Sequence, residues 1–463
     1  MKIQTTHNNY QDYNLDNTNK DQINNNLNTK TEKQSVSYNN VERSVPECQK
    51  NISSLICLND ISVYKDREYY EKYTTSIKTE TFYGTKAEIG LNYGKVFNCE
   101  MKYALDSIKK YFIDDHKISY KALVERADIL YSKYDPDYHS MFENMAKGSG
   151  LSLNDIKILN GMETLHSLVR NSQDSASGCS IFVTKNGGNN IIGRNYDFHY
   201  EPYVEIAAHL VVTTICENGK IPVTLLGLPG QIYCATCINA EGIFASFNNG
   251  SSSGGSFNKE NTSLLANLMQ IMQNSKNIGE FDANISKYSS DYSLIVNAAD
   301  KDSVKSYEFS SNYGMRTNHK TDLDQNFVST NFFQNAMWLD TPLKNGFPAT
   351  DEKSWLGVTR YNNLFKASKT NYTDNDVMEL ISRKIENGGA TSNSTIYQAI
   401  FNPTTMILTL RRPHYESPME KYEFLIGNNF NFKDYYRKLG LNPGYDYGKY
   451  DESTNPQCPK NQV

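Results

Sequence analysis

Long apolar runs are missing from this sequence. The most apolar long stretch, "VEIAAHLVVTTIC" (Val204 to Cys216), is interrupted by Glu205 and His209 and falls short of the ~20 residues that a bilayer-spanning helix needs, so no membrane segment is expected. Blocks of Lys and Arg are missing too. The 47 basic residues are scattered among 52 acidic ones for a net charge of −5, which leaves no stripe to follow a phosphate backbone and makes nucleic acid an unexpected partner. The opening "MKIQTTHNNYQDYNLDNTNK" has no apolar stretch behind its Lys, so it does not read as an export signal, and a cytoplasmic protein is expected. Cysteine is sparse, eight in 463 residues, and in that setting free thiols are the default. Metal chemistry is also poorly provided for. No His-Glu-x-x-His occurs, and "CATC" (Cys234 to Cys237) has redox or half-zinc spacing without a second Cys or His pair to complete it. A strand that packs both thiols is the better expectation for "CATC", and no metal or organic cofactor is expected.

What is present falls into three textures. Eleven Asn lie in the first forty residues among Gln, Lys and Thr, a composition that cannot bury enough apolar area to offset the entropy of ordering, so 1–66 reads as a disordered tail. From there to residue 178 apolar residues recur at helical spacing, as in "CEMKYALDSIKKYF", "YKALVERADILYSKY" and "HSMFENMAKGSGLSLNDIKILNGMETLHSLV", with Ser152 and Asp155 as a start signal inside the last. After Cys179 the runs become strand-like and are punctuated by Asn-Gly, Gly-Gly and Pro-Gly: "CSIFVT", "NIIGRNYDF", "PVTLLGL", "GIFASFN". One good helix, "NTSLLANLMQIMQ", interrupts them, and "STIYQAIFNPTTMILTLRR" closes with a hairpin around Asn402-Pro403. Helices before and between antiparallel strands predict an α+β domain, 179–440, ending in a short tail, 441–463.

Several chemistries compete for this chain. "GSSSG" (Gly250 to Gly254) has the Gly-x-Ser-x-Gly pattern of a nucleophile elbow around Ser252, but "SSGGSFNKEN" follows it where a helix is needed, so a Ser/Gly-rich loop is expected. None of the eight histidines (His7, His116, His139, His166, His199, His209, His319, His414) has a context that marks it as the base of a Cys/His pair. The remaining chemistry starts at "GCSIFVTKNGGNNIIGRNYDF". If the bond between Gly178 and Cys179 is cut, Cys179 gains an α-amine whose solution pKa near ~8 suits it to deprotonate the adjoining thiol. A strand turned back by "KNGGNN" would bring Arg194 and Asp197 alongside, one to favour the thiolate and one to orient the amine. Cys179 as a core thiol and Arg194–Asp197 as a structural ion pair are the competing readings.

This segment resembles the start of the mature chain in the N-terminal-nucleophile linear-amide hydrolases, which include the choloylglycine (bile salt) hydrolase and penicillin V acylase group and the isopenicillin N acyltransferase group. The Arg and Asp follow Cys179 by fifteen and eighteen residues, one fewer than the family spacing. Downstream, "CINAEGIFASFNN" resembles the family's strand that carries the oxyanion-hole Asn, which implies Asn249, with Asn248 if the register slips by one. "FVSTNFF" implies Asn331, with "MRTNH" and Asn318 as a competitor, and "VTRYNNL" implies Arg360. Upstream, "MAKGSGLSLNDIKILNGMETL" is similar to the segment that precedes the nucleophile in the acyltransferase-type members.

The resemblance implies a four-layer αββα fold with mostly antiparallel sheets, in which 67–178 is a helical pro-segment that stays associated with 179–440 after cleavage. It also implies a cysteine amidase acting on a small-molecule, non-peptide amide through an acyl-Cys intermediate. Cys179, Arg194, Asp197, Asn249, Asn331 and Arg360 would form its site. An acyltransferase passing the acyl group to an amine is the alternative, and a non-enzymatic binding member the remaining one.

Overall fold

The computed structural model describes residues 77–438 apart from 166–167, 170–177, 199–206, 208, 256, 321–325, 345, 355, 368–370 and 413–427. The tails expected at 1–66 and 441–463 therefore lie outside the described residues. The described ones belong to one compact unit, Lys50–Val463.

The helical half begins after a strand that the sequence pattern did not announce, β1 (Lys78–Gly84). Helices α1 (Lys86–Val96), α2 (Asn98–Lys109), α3 (Tyr120–Tyr131), α4 (Pro136–Ser149), α5 (Leu153–Asn160) and the single turn α6 (Met162–Leu165) follow. Their starts are chemically marked. Thr85 and Glu88, and again Ser152 and Asp155, form reciprocal capping boxes, and Asp135 caps a helix whose first residue is Pro136. The Ser152 start signal thus opens α5. The buried faces of these helices, Met141, Phe142 and Met145 among them, join the main core.

The strand-rich half carries two sheets. The larger joins β1 to β4 (Val211–Glu217), β5 (Val223–Gly227), β6 (Thr236–Asn239), β7 (Phe244–Asn249), β8 (Leu294–Ala299), β9 (Val304–Ser310) and β10 (Gly314–Lys320) in that order. The smaller has the order β11 (Phe327–Ser329), β2 (Ser180–Asn186), β3 (Asn189–Asp197), β12 (Thr395–Asn402), β13 (Ile407–Arg411), β14 (Asn428–Asn431). Every pairing is antiparallel except β1 with β4, which run parallel across a long sequence separation. Between β7 and β8 lie α7 (Ser251–Gly254), α8 (Leu264–Gln273) and α9 (Ile278–Ile285); α10 (Asp351–Ser354), α11 (Gly357–Phe365) and α12 (Asp374–Ser382) precede β12, and α13 (Phe432–Lys438) follows β14. The α+β class is thus observed.

Period-two alternation distributes the hairpin β2–β3 between two cores. Ile181, Val183, Ile192 and Tyr196 belong to the main core beneath the larger sheet, whereas Phe182 and Ile191 pack with Val377 and Ile381 of α12. Cys179 belongs with the first set. Its side chain therefore points between the sheets, where a charge is costly unless something stabilises it.

Candidate active site

Gly187 and Gly188, at φ 56° and 90°, close the β2–β3 hairpin between the paired Asn186 and Asn189. Both central residues need the left-handed region, which glycine enters without a Cβ clash. The register then places Ser180 opposite Asn195 and Ile181 opposite Arg194. One step further sets Cys179 against Tyr196 and Gly178 against Asp197, as the "GRNYDF" spacing anticipates. Cys179 is 2% exposed, and its Sγ lies 3.8 Å from Asp197 O.

Two buried guanidinium groups approach this cysteine. Arg194 spans the gap between the sheets: Nε donates to Thr236 Oγ1 at 2.8 Å, Nη1 to Asn248 Oδ1 at 2.6 Å, and Nη2 to Phe247 O at 2.7 Å. Burial pushes the Cys179 thiol's pKa up and the Arg194 charge opposes that. Arg360, on α11, reaches the backbone of the junction itself. Its Nη1 donates to Gly178 O at 2.5 Å, Cys179 O at 2.7 Å and Ser180 Oγ at 2.8 Å, and its Nη2 to Asn331 Oδ1 at 2.9 Å.

Asp197 is fully covered, and burial outweighs the nearby Arg360 to push its carboxyl up to about 6. Oδ2 lies 3.5 Å from Ser392 Oγ, whereas Oδ1 has no hydrogen-bond partner among the described residues. A Cβ on Gly178 would stand 3.1 Å from Asp197 Oδ2 and 3.3 Å from Arg360 Nη2. Glycine at 178 is what lets the carboxylate and the guanidinium close on the junction.

The other sequence nominations divide clearly. Asn331 Nδ2 donates to Asn249 O at 2.9 Å, so Arg360, Asn331 and Asn249 form one chain of contacts. Asn249 Oδ1 accepts from Ser251 N at 2.8 Å, while the neighbouring Asn248 holds Arg194 and donates to Thr330 O. The competitor Asn318, on the edge strand β10, donates to Glu308 of β9 instead. The "GSSSG" segment is a turn of helix, α7, where a loop was expected, and the Ser252 hydroxyl donates to Asn331 O at 2.5 Å.

"CATC" is a correction. Cys234 and Cys237 are joined as a disulfide, not left as the two packed thiols the sequence suggested, because the bend before β6 brings their Cα atoms within 5.3 Å. A bonded pair also cannot serve as a metal half-site. The bridged loop instead helps to hold Arg194, since Ala235 O and Thr236 Oγ1, both inside it, accept from that guanidinium. Sequence reasoning also missed Glu163, which accepts from the Tyr196 hydroxyl. Tyr196 stands inside the quoted motif; nothing in the one-dimensional pattern ties Glu163 to it.

Among the described residues no group of three His, Cys, Asp or Glu could hold a metal ion, and no helix is long and apolar enough to cross a membrane. No family model matches the chain, and no curated protein does. Solved structures do. The chain is similar to the Caenorhabditis elegans ortholog of N-acylethanolamine-hydrolyzing acid amidase, at 15% identity and a TM-score of 0.36 over 49% of this chain and 93% of that one. It is also similar to a conjugated bile acid hydrolase variant from Clostridium perfringens (10% identity, TM-score 0.37, 55% and 93% covered) and to penicillin V acylase from Agrobacterium tumefaciens (10%, 0.27, 50% and 82%). At such low identities and TM-scores the chemistry rests on this chain's own residues.

Proposed function

We propose that the chain is a self-processing cysteine amidase: it cuts its own Gly178–Cys179 bond and then hydrolyses a linear, non-peptide amide through an acyl-Cys intermediate. The observation that carries this reading is the junction itself, where a buried thiol adjoins a glycine whose carbonyl oxygen lies 2.5 Å from a buried guanidinium nitrogen. A structural cysteine does not need its preceding carbonyl held by a charge. The proposed architecture is the four-layer αββα arrangement, with 67–178 as pro-segment and 179–440 as catalytic domain.

Cleavage would leave Cys179 with a free α-amine, and Asp197 Oδ1, buried without a hydrogen-bond partner among the described residues, would accept from it. The amine takes the Sγ proton, the thiolate stabilised by Arg194 attacks the substrate carbonyl, and Asn249 Nδ2 supplies a donor for the oxyanion. The amide C–N bond breaks as the leaving nitrogen takes that proton, and water then hydrolyses the thioester. Passing the acyl group to an amine instead would make the protein an acyltransferase. A binding protein without catalysis is the remaining alternative.

Intact-mass spectrometry of the purified protein tests the reading. Cleavage gives fragments of 178 and 285 residues (463 − 178), which co-purify, and Cys179→Ala stays whole. An active wild-type protein that remains one full-length chain would exclude the α-amine mechanism.

A further inference from the structure

In the uncut chain the nitrogen of Cys179 is an amide, so the base that serves the matured site does not yet exist. Granting the self-cleavage proposed above, another group must take the Sγ proton before the thiolate can attack Gly178. We propose that the Glu163 carboxylate, held on the thiol's face of the hairpin by Tyr196, is that acceptor. The pro-segment would then supply the base for its own release.

The placement follows from the ladder. Carrying the β2–β3 register one step beyond its Ser180–Asn195 pair sets Cys179 opposite Tyr196, a relation that puts Cβ atoms about 4.5–5.5 Å apart, and the Cys179 thiol feels the charge of Glu163. Both belong to the main core beneath the larger sheet. The Tyr196 ring is fixed by stacking on Tyr397, with centroids 4.9 Å apart, and on Phe198 at 6.3 Å. Its hydroxyl donates to Glu163 Oε1, which brings a carboxylate from α6 to the thiol's cross-strand partner.

The charges around Glu163 suit a proton acceptor. Among the described residues it makes no ion pair. Arg126 of α3 reaches α6 but donates to the Thr164 carbonyl, with its guanidinium over the Phe257 ring. From β3, Tyr196 and Arg194 favour the ionised form, yet burial prevails and pushes the carboxyl up to about 7. The rival acceptor is Asp197. Arg360 opposes its burial and leaves it at about 6, a weaker base, and alternation along β3 turns it from the face that carries Cys179 and Tyr196.

Glu163 takes the Sγ proton and the thiolate adds to the Gly178 carbonyl carbon, whose oxygen is already held by Arg360. The Gly178–Cys179 C–N bond breaks as Glu163 returns the proton to nitrogen, which leaves a thioester and a free α-amine. Water then cleaves the thioester into a Gly178 carboxylate and the Cys179 thiol, with release of a proton.

The test is to synthesise the full chain in a cell-free system and follow its cleavage by intact mass from about pH 5 to about pH 9, a range that brackets a carboxylate base near neutrality. Wild-type cleavage should accelerate through about pH 7 and level off. Glu163→Gln, which still accepts from Tyr196, should fold with a melting temperature at about pH 5 like that of the uncut Cys179→Ala protein, cleave at least ~100-fold more slowly and lose that rise; Glu163→Asp should restore part of the rate with a shifted midpoint. Wild-type rate and pH profile in Glu163→Gln would overturn the inference, as would loss of the rise in Asp197→Asn while Glu163→Gln keeps it. A wild-type chain that never cleaves would instead bring down the self-cleavage reading on which the inference rests.

Discussion

Arg194 and Arg360 are both buried to 1% exposure or less, within reach of the same cysteine, yet they are held in opposite ways. Arg194 is clamped by neutral acceptors from two strands of the larger sheet and by the bridged "CATC" loop, so its own position is fixed by the fold around it. Arg360 reaches from a helix to the backbone on either side of one peptide bond, with Asp197 as the nearby opposite charge. The first is therefore a fixed source of field that joins the two sheets. The second is committed to a bond that the proposed chemistry breaks. A buried cation identifies itself by what its donors touch.

The sharpest way to break this contrast is at Arg360. Arg360→Met should slow self-cleavage about 10²–10³-fold, as for loss of one oxyanion donor, with the whole chain accumulating on intact-mass spectra. Asn249→Ala should still cleave itself but turn over an amide substrate more slowly by a similar factor, because its Nδ2 is proposed as donor to the oxyanion of the substrate and not to that of Gly178. Equal effects of both variants on cleavage would merge the two roles.

Arg194→Met should show itself in stability. Several buried acceptors lose their donor at once, each worth about 1–3 kcal/mol, so a loss on the order of 3 kcal/mol is expected in chemical denaturation of the cleavage-deficient Cys179→Ala background. Arg360→Met in that background should cost less, because it also relieves a guanidinium whose burial lowers its own pKa.

The pH dependence of folding comes next. Asp197 and Glu163 have folded-state pKa values raised to about 6 and about 7, so between about pH 4 and about pH 7 the native chain binds more protons than the unfolded one. Their contribution is fully present at acidic pH and is lost as pH rises through those values. For Asp197 the loss is about 3 kcal/mol. Melting temperature of the uncut Cys179→Ala protein should fall across that window, and Asp197→Asn should flatten it.

The smallest effect belongs to the bridge. Replacing Cys234 and Cys237 by Ala should loosen the Ala235 and Thr236 contacts without removing them and reduce turnover about two- to five-fold, at the low end of what one ordinary hydrogen bond contributes. An unchanged rate would mean that β6 and β7 hold Arg194 without it.

Local chemistry made much of this legible. The Gly-Gly turn fixed the register of β2 and β3, and hence which residues flank Cys179; the Ser152 box opened α5, and "NTSLLANLMQIMQ" contained α8. The turn of helix at "GSSSG" was misread because its serine hydroxyls are tied to a segment far off in sequence, Ser252 donating to Asn331 O and Ser253 accepting from Phe333 N.

The α+β class, the hairpin and the order of the motifs were set by the chain's own residue pattern, since turn residues and hydrophobic period act over a few positions. Tertiary packing alone determined that β1 joins β4 in parallel, that Asn248 rather than Asn249 holds Arg194, that Cys234 and Cys237 meet, and that Glu163 reaches Tyr196. Three of these rest on a single-residue register or a contact between segments far apart in the chain. The fourth, the Cys234–Cys237 pair, depends on a backbone bend that Cys-x-x-Cys spacing permits but does not impose.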